Sequence, residues 1–141
     1  PRVARPSHRR VHLDVRVEGI TMLRVLIADD SRVMRQIVIR TLRQAGYDWD
    51  VREASDGVEA LAAVQADEPD LVLSDWNMPN MTGIELLGAM RSEGYGTPFA
   101  FVTSEGSAEM REAAEQAGAL FLIAKPFTAE SFRDAIEPVL A

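Results

Sequence analysis

Four short runs of almost unbroken apolar residues, "LRVLIA" (23–28), "LVLS" (71–74), "FAFVT" (99–103) and "LFLIAK" (120–125), each end on or beside a residue with a charge or a hydroxyl. Such runs suit strands buried on both faces of a parallel sheet. A fifth segment, "DVREA" (50–54), alternates and reads as an edge strand.

Helical periods separate the runs. Met34, Ile37, Val38, Leu42 and Ala45 recur at three and four, stopping before Gly46. Val58, Leu61, Ala62 and Val64 follow the "SDG" turn in the same way. Ile84, Leu87 and Met90 come after Thr82, which forms a capping-box pattern with Glu85. Met110, Ala113, Ala114 and Ala117 predict an alanine-rich helix that ends at Gly118. Phe132, Ile136, Val139 and Leu140 predict the last helix, opened by Pro126 and Thr128. Strand and helix alternate five times, which predicts a doubly wound α/β domain with a five-stranded parallel sheet and right-handed crossovers.

Residues 22–141 form this domain; residues 1–21 do not share its pattern. The first 21 residues hold five arginines against Asp14 and Glu18, whereas residues 22–141 carry ten basic and twenty acidic side chains. The extension reads as a mobile basic tail, or as sequence upstream of a natural start at Met22. "VHLDVRVE" (11–18) alternates strictly and offers an extra edge strand as the other reading. The acidic body argues against a nucleic-acid partner, because phosphate binding needs clustered Lys and Arg. No apolar run approaches the roughly 20 residues that cross a bilayer, so no membrane role and a cytoplasmic location are expected. With no cysteine, thiolate and disulfide chemistry are excluded.

The polar ends of the runs carry the chemistry. The first run stops at Asp29 and Asp30, and the later ones at Asp75, Thr103 and Lys125. In a parallel sheet all carboxyl ends lie along one edge, where ligands of open α/β sheets bind. Five polar residues from distant parts of the chain should therefore meet. Three clustered carboxylates repel unless a cation sits among them. Only oxygen ligands are on offer, and these select a hard cation such as Mg²⁺, which takes one or two carboxylates and a phosphate oxygen. Lys125, the only lysine in the chain, and Thr103 would serve the anion that completes the site. An ionised aspartate beside a metal can attack phosphorus and form an acyl phosphate.

"VLIADDS", "SDWNMPNMTGIELL", "FVTSE" and "AKPF", in this order and spacing, resemble the receiver domain of two-component response regulators. The likeness covers residues 22–141 and lies nearest the stand-alone, CheY-like members of the family. It implies a flavodoxin-like (βα)5 sheet in the order 2-1-3-4-5. By position, Asp75 matches the phosphoacceptor that takes its phosphoryl group from a sensor histidine kinase or histidine phosphotransfer protein. Asp30 matches the direct Mg²⁺ ligand, Asp29 the acid that holds metal-bound water, and Asn77 the residue whose backbone carbonyl completes the metal set. Thr103 matches the switch hydroxyl and Lys125 the cation at the phosphoryl group, with a cis bond to Pro126. A downstream effector protein, a monomer or weak dimer, and no enzymatic turnover beyond self-catalysed phosphotransfer and autodephosphorylation are implied as well.

One position departs from the pattern. The family's switch aromatic lies three residues before the lysine, where this chain has Leu122. Phe121 is adjacent, but a one-residue step along a strand reverses the face. Two other readings compete with a stand-alone regulator. One is a receiver cut from a larger regulator. The other is a phosphatase with an aspartyl-phosphate intermediate, which would want a proton-donating acid two residues after the nucleophile; Asn77 occupies that place.

Overall fold

The computed structural model describes residues 22–140; both readings of residues 1–21, mobile tail or extra strand, lie outside the described residues. Strand and helix alternate as β1 (Arg24–Ala28), α1 (Arg32–Gln44), β2 (Asp50–Ala54), α2 (Gly57–Ala66), β3 (Leu71–Ser74), α3 (Gly83–Ser92), β4 (Phe99–Thr103), α4 (Ala108–Gln116), β5 (Leu122–Ala124) and α5 (Ala129–Ile136). All neighbouring strands are parallel, in the order β2-β1-β3-β4-β5. The expected fold class and strand order are both present.

Position in the sheet explains each strand's composition. Every residue of β3 and β4 is buried, so their runs are continuous. β2 lies at an edge and buries only Ala54, which accounts for its polar alternation. Side chains alternate between two apolar layers. Val25, Ile27, Leu71, Leu73 and Val102 face α1 and α5, meeting Val38, Leu42, Phe132 and Ile136. Leu26, Val72, Phe99 and Phe101 face α2, α3 and α4, meeting Ala60, Val64, Leu86, Met90 and Ala114.

Each helix opens with a side-chain cap. Ser31, Asp56, Thr82, Ser107 and Thr128 each accept the amide of the residue three positions on. Such a cap contributes roughly 1 kcal/mol and fixes where the loop ends. The expected box between Thr82 and Glu85 is complete in both directions. Because every cap follows a strand, all five lie on the edge of the sheet that carries the strand ends. That edge is consequently well ordered by local hydrogen bonds.

Two local expectations need correction. In α2 the buried residues are Gly57, Ala60 and Val64, while Val58 is 51% exposed and Ala62 is exposed. The segment "GVEALAAVQA" is apolar nearly all round, so its period did not single out one face. The last helix ends at Ile136, and Glu137–Val139 form a 3₁₀ turn. Pro138 has no amide to donate, and its ring would collide with the carbonyl four residues back in a continued α-helix.

Candidate functional site

The ends of β1 and β3 are held side by side, the Asp75 amide donating to the Ala28 carbonyl at 2.8 Å. This brings Asp29 and Asp30 beside Asp75. One carboxylate oxygen from each of the three lies within 4.8 Å of the others. Asp29 is buried, Asp75 half-buried and Asp30 exposed. The cluster therefore runs from a buried carboxylate to an exposed one, and all its donors are hard oxygens. It could hold a divalent cation.

Electrostatics show how poorly the site tolerates its own charge. Burial pushes the Asp29 carboxyl up to about 6; the Ser31 amide opposes this, Asp75 and Asp30 add to it, and Lys125 relieves it. Asp75 is raised too, again mainly by burial. Its opposing influences are the Trp76 amide, the Thr103 hydroxyl and the Lys125 charge. A cation among these oxygens would offset both the desolvation and the repulsion. The donor set fits Mg²⁺, which accepts carboxylates without demanding a complete protein cage.

The carboxylates are held in fixed directions. Ser31 donates its amide to Asp29 Oδ1 at 2.8 Å, and Trp76 donates its amide to Asp75 Oδ1 at 2.7 Å. Asp75 Oδ2 takes no part in that bond. Ser74 donates its hydroxyl to the Asp75 carbonyl at 2.7 Å, fixing the backbone on the strand side. Trp76 lies over Phe101 with ring centroids 4.8 Å apart and forms an apolar wall beside the acid.

Thr103, fully buried at the end of β4, presents its hydroxyl near Asp75. Its hydroxyl favours the ionised Asp75 carboxylate, and its oxygen accepts the Glu105 amide at 3.5 Å. Lys125 follows β5, exposed, with a cis bond to Pro126. Its charge reaches both Asp29 and Asp75. Asn77 is exposed, two residues beyond Asp75, placed by the loop rather than by a bond to the acids.

Several supporting residues carry no sequence signal of their own. Arg35 donates Nη1 to the Asp29 carbonyl at 2.6 Å and pairs through Nε with Glu53 at 2.7 Å, tying the β1 end to α1 and β2. From sequence, Arg35 is indistinguishable from a solvated helix arginine. Asn80, with a positive φ of 69°, donates its side-chain amide to Asp56 at 2.7 Å and so steadies the loop that carries Asn77. The only sequence trace of this turn is the "NMPN" cluster.

Comparison with known proteins agrees with this geometry. The response regulator receiver domain model matches residues 25–137. The chemotaxis protein CheY of Pseudomonas aeruginosa is 38% identical over 119 residues, covering 83% of this chain and 95% of that one. The Vibrio cholerae chemotaxis protein CheY-3 is also 38% identical, covering 83% of this chain and 91% of its own. Among solved structures, Vibrio cholerae CheY4 superposes with a TM-score of 0.72 at 41% identity, over 85% of this chain and 100% of that one. The chain belongs to the response regulator receiver domain family, the phosphoryl-accepting modules of two-component signalling.

Proposed function

We propose that Asp75 is the phosphoacceptor of a two-component relay and takes its phosphoryl group from a phosphohistidine on a sensor kinase or a phosphotransfer protein. The observation that carries this reading is the meeting of three carboxylates, a buried hydroxyl and the charge of the chain's only lysine at one sheet edge. Asp75 Oδ1 is occupied by the Trp76 amide, so Oδ2 is the nucleophile. As the bond from Oδ2 to phosphorus forms, the phosphorus–nitrogen bond of the donor breaks. The electron pair leaves with the imidazole, which is then protonated. Thr103 donates its hydroxyl to a phosphoryl oxygen, and Lys125 offsets the added negative charge.

Asp29, Asp30, Asp75 and the Asn77 backbone carbonyl are the groups that would hold Mg²⁺. When bound, the ion supplies positive charge that lets the acids and the phosphoryl oxygens coexist. Asp29, fixed by Ser31 and Arg35, is suited to orient metal-bound water rather than to move. The reader of the phosphorylated state is an effector protein. Relatives named as chemotaxis proteins and the acidic body both favour a protein over a nucleic acid.

The test is incubation with radiolabelled acetyl phosphate and Mg²⁺. One acid-labile phosphate per chain is expected, with none in Asp75→Asn and none when the metal is chelated. Labelling of the variant at the wild-type rate would reject the assignment. Steady hydrolysis of a generic phosphomonoester would favour the phosphatase reading instead.

A further inference from the structure

Leu122 stands where an aromatic would report the position of Thr103, and the structure fills that neighbourhood by other means. β5 is an edge strand. The Phe121 carbonyl and the Lys125 amide bond to β4, accepting from Phe101 and donating to Thr103 at 3.0 Å each. By the alternation of a parallel ladder, the Leu122 carbonyl points outward, where no strand among the described residues covers it. Arg111 on α4 takes that place. Its Nη1 donates to the Leu122 carbonyl at 3.0 Å, and its Nε donates to the Gly106 carbonyl at 3.3 Å.

One planar guanidinium thus joins β5 to the loop between β4 and α4. That same loop is joined to Thr103, whose hydroxyl oxygen accepts the Glu105 amide at 3.5 Å. The packing leaves no slack. A Cβ placed on Gly106 would lie 2.7 Å from Ala124 Cβ and 3.2 Å from Arg111 Nη2. Arg111 also lies between two surface concavities: one is lined by Glu112, Glu115 and Phe121, the other by Ser131, Asp134 and Ala135.

We propose that Arg111 is the positioning residue through which the state of Asp75 reaches the β5–α5 face, in place of a rotating aromatic. This rests on the phosphoacceptor reading. A phosphoryl group on Asp75 brings charged acceptor oxygens to the Thr103 hydroxyl, and charge-assisted bonds are stronger than the long contact from Glu105. Turning Thr103 toward them withdraws its oxygen from the Glu105 amide. The loop shifts, and the Gly106 carbonyl moves relative to the Leu122 carbonyl. A rigid fork cannot follow both. Arg111 therefore gives up or re-aims one bond, and the two concavities that it separates change together.

The test compares wild type with Arg111→Met, which keeps an apolar stem and helix propensity but removes both donors. Amide spectra of the full ¹⁵N-labelled chain are recorded before and after Mg²⁺ with beryllium fluoride, a phosphoryl mimic. In wild type, shifts are expected at residues 103–106, 122–124 and 131–135. In the variant the shifts at 103–106 remain, while those at 122–124 and 131–135 fall by more than half. Labelling by acetyl phosphate should stay within about twofold of wild type, since Arg111 touches no reacting atom. Equal shifts at 122–124 and 131–135 in both proteins would overturn the proposal. Absence of any response near Thr103 in wild type would instead overturn the phosphoacceptor reading, and the proposal with it.

Discussion

The Lys125 amide donates to the Thr103 carbonyl at 3.0 Å. This bond joins the backbones at the ends of β4 and β5, from positions 22 residues apart in the sequence. The Asp75 amide does the same for β3 and β1 through the Ala28 carbonyl. Parallel register assembles the site. No residue in it depends on a long, flexible reach except Lys125 itself.

The charge of Asp29 gives a stability prediction for the metal-free protein. Its folded pKa of about 6 lies above the ordinary 3.8, so the native state binds this proton more tightly than the unfolded chain does. The destabilisation is fully present above about 6 and disappears as pH falls through 6 toward 4. Asp29→Asn keeps an acceptor for the Ser31 amide and removes the charge. Urea unfolding should show the variant more stable by about 2 kcal/mol at pH 7. The gap should narrow by pH 5. A variant less stable than wild type at pH 7 would contradict the electrostatic account.

Added Mg²⁺ should stabilise the native chain, because only the folded state gathers the three carboxylates. Trp76 adjoins Asp75 and packs on Phe101, whereas Trp49 stacks on Tyr47 elsewhere. The metal-dependent change in tryptophan emission should therefore come from Trp76 and vanish in Trp76→Phe. Asp30→Asn should weaken the titration at least about tenfold. An unchanged midpoint in that variant would remove Asp30 from the ligand set.

Gly83 packs where no side chain fits. A Cβ there would lie 2.1 Å from the Asp75 carbonyl oxygen and 2.9 Å from Phe101 Cε1. Gly83→Ala must push the start of α3 away from the end of β3. Thermal unfolding should show a loss of about 3 kcal/mol, at the upper end of ordinary overpacking. Acetyl phosphate labelling should fall as well, because the displaced backbone belongs to Asp75, the proposed acceptor. A loss of stability with unaltered labelling would show that the shift is absorbed by the helix alone.

Most of the fold was legible because buried parallel strands leave continuous apolar runs and helix starts leave cap residues. Thr82 and Glu85 mark the start of α3 in the sequence itself. The site was legible for a related reason: Asp29, Asp30, Asp75, Thr103 and Lys125 all sit at strand ends, and parallel ends must coincide. What escaped were features set by packing between elements. The outward Val58 follows from an almost uniformly apolar α2. The bridges made by Arg35, Asp56 with Asn80, and Arg111 depend on side chains that meet partners 11 to 24 residues away and look like surface polar residues in the sequence.

Chemical trapping tests the central claim most directly. Treating the labelled protein with borohydride reduces an aspartyl phosphate to the corresponding alcohol and leaves ordinary carboxylates alone. Peptide mass spectrometry should then find homoserine at position 75 and at no other aspartate, with Asp29 and Asp30 intact. Homoserine at position 29 or 30, or none anywhere after stoichiometric labelling, would contradict the account.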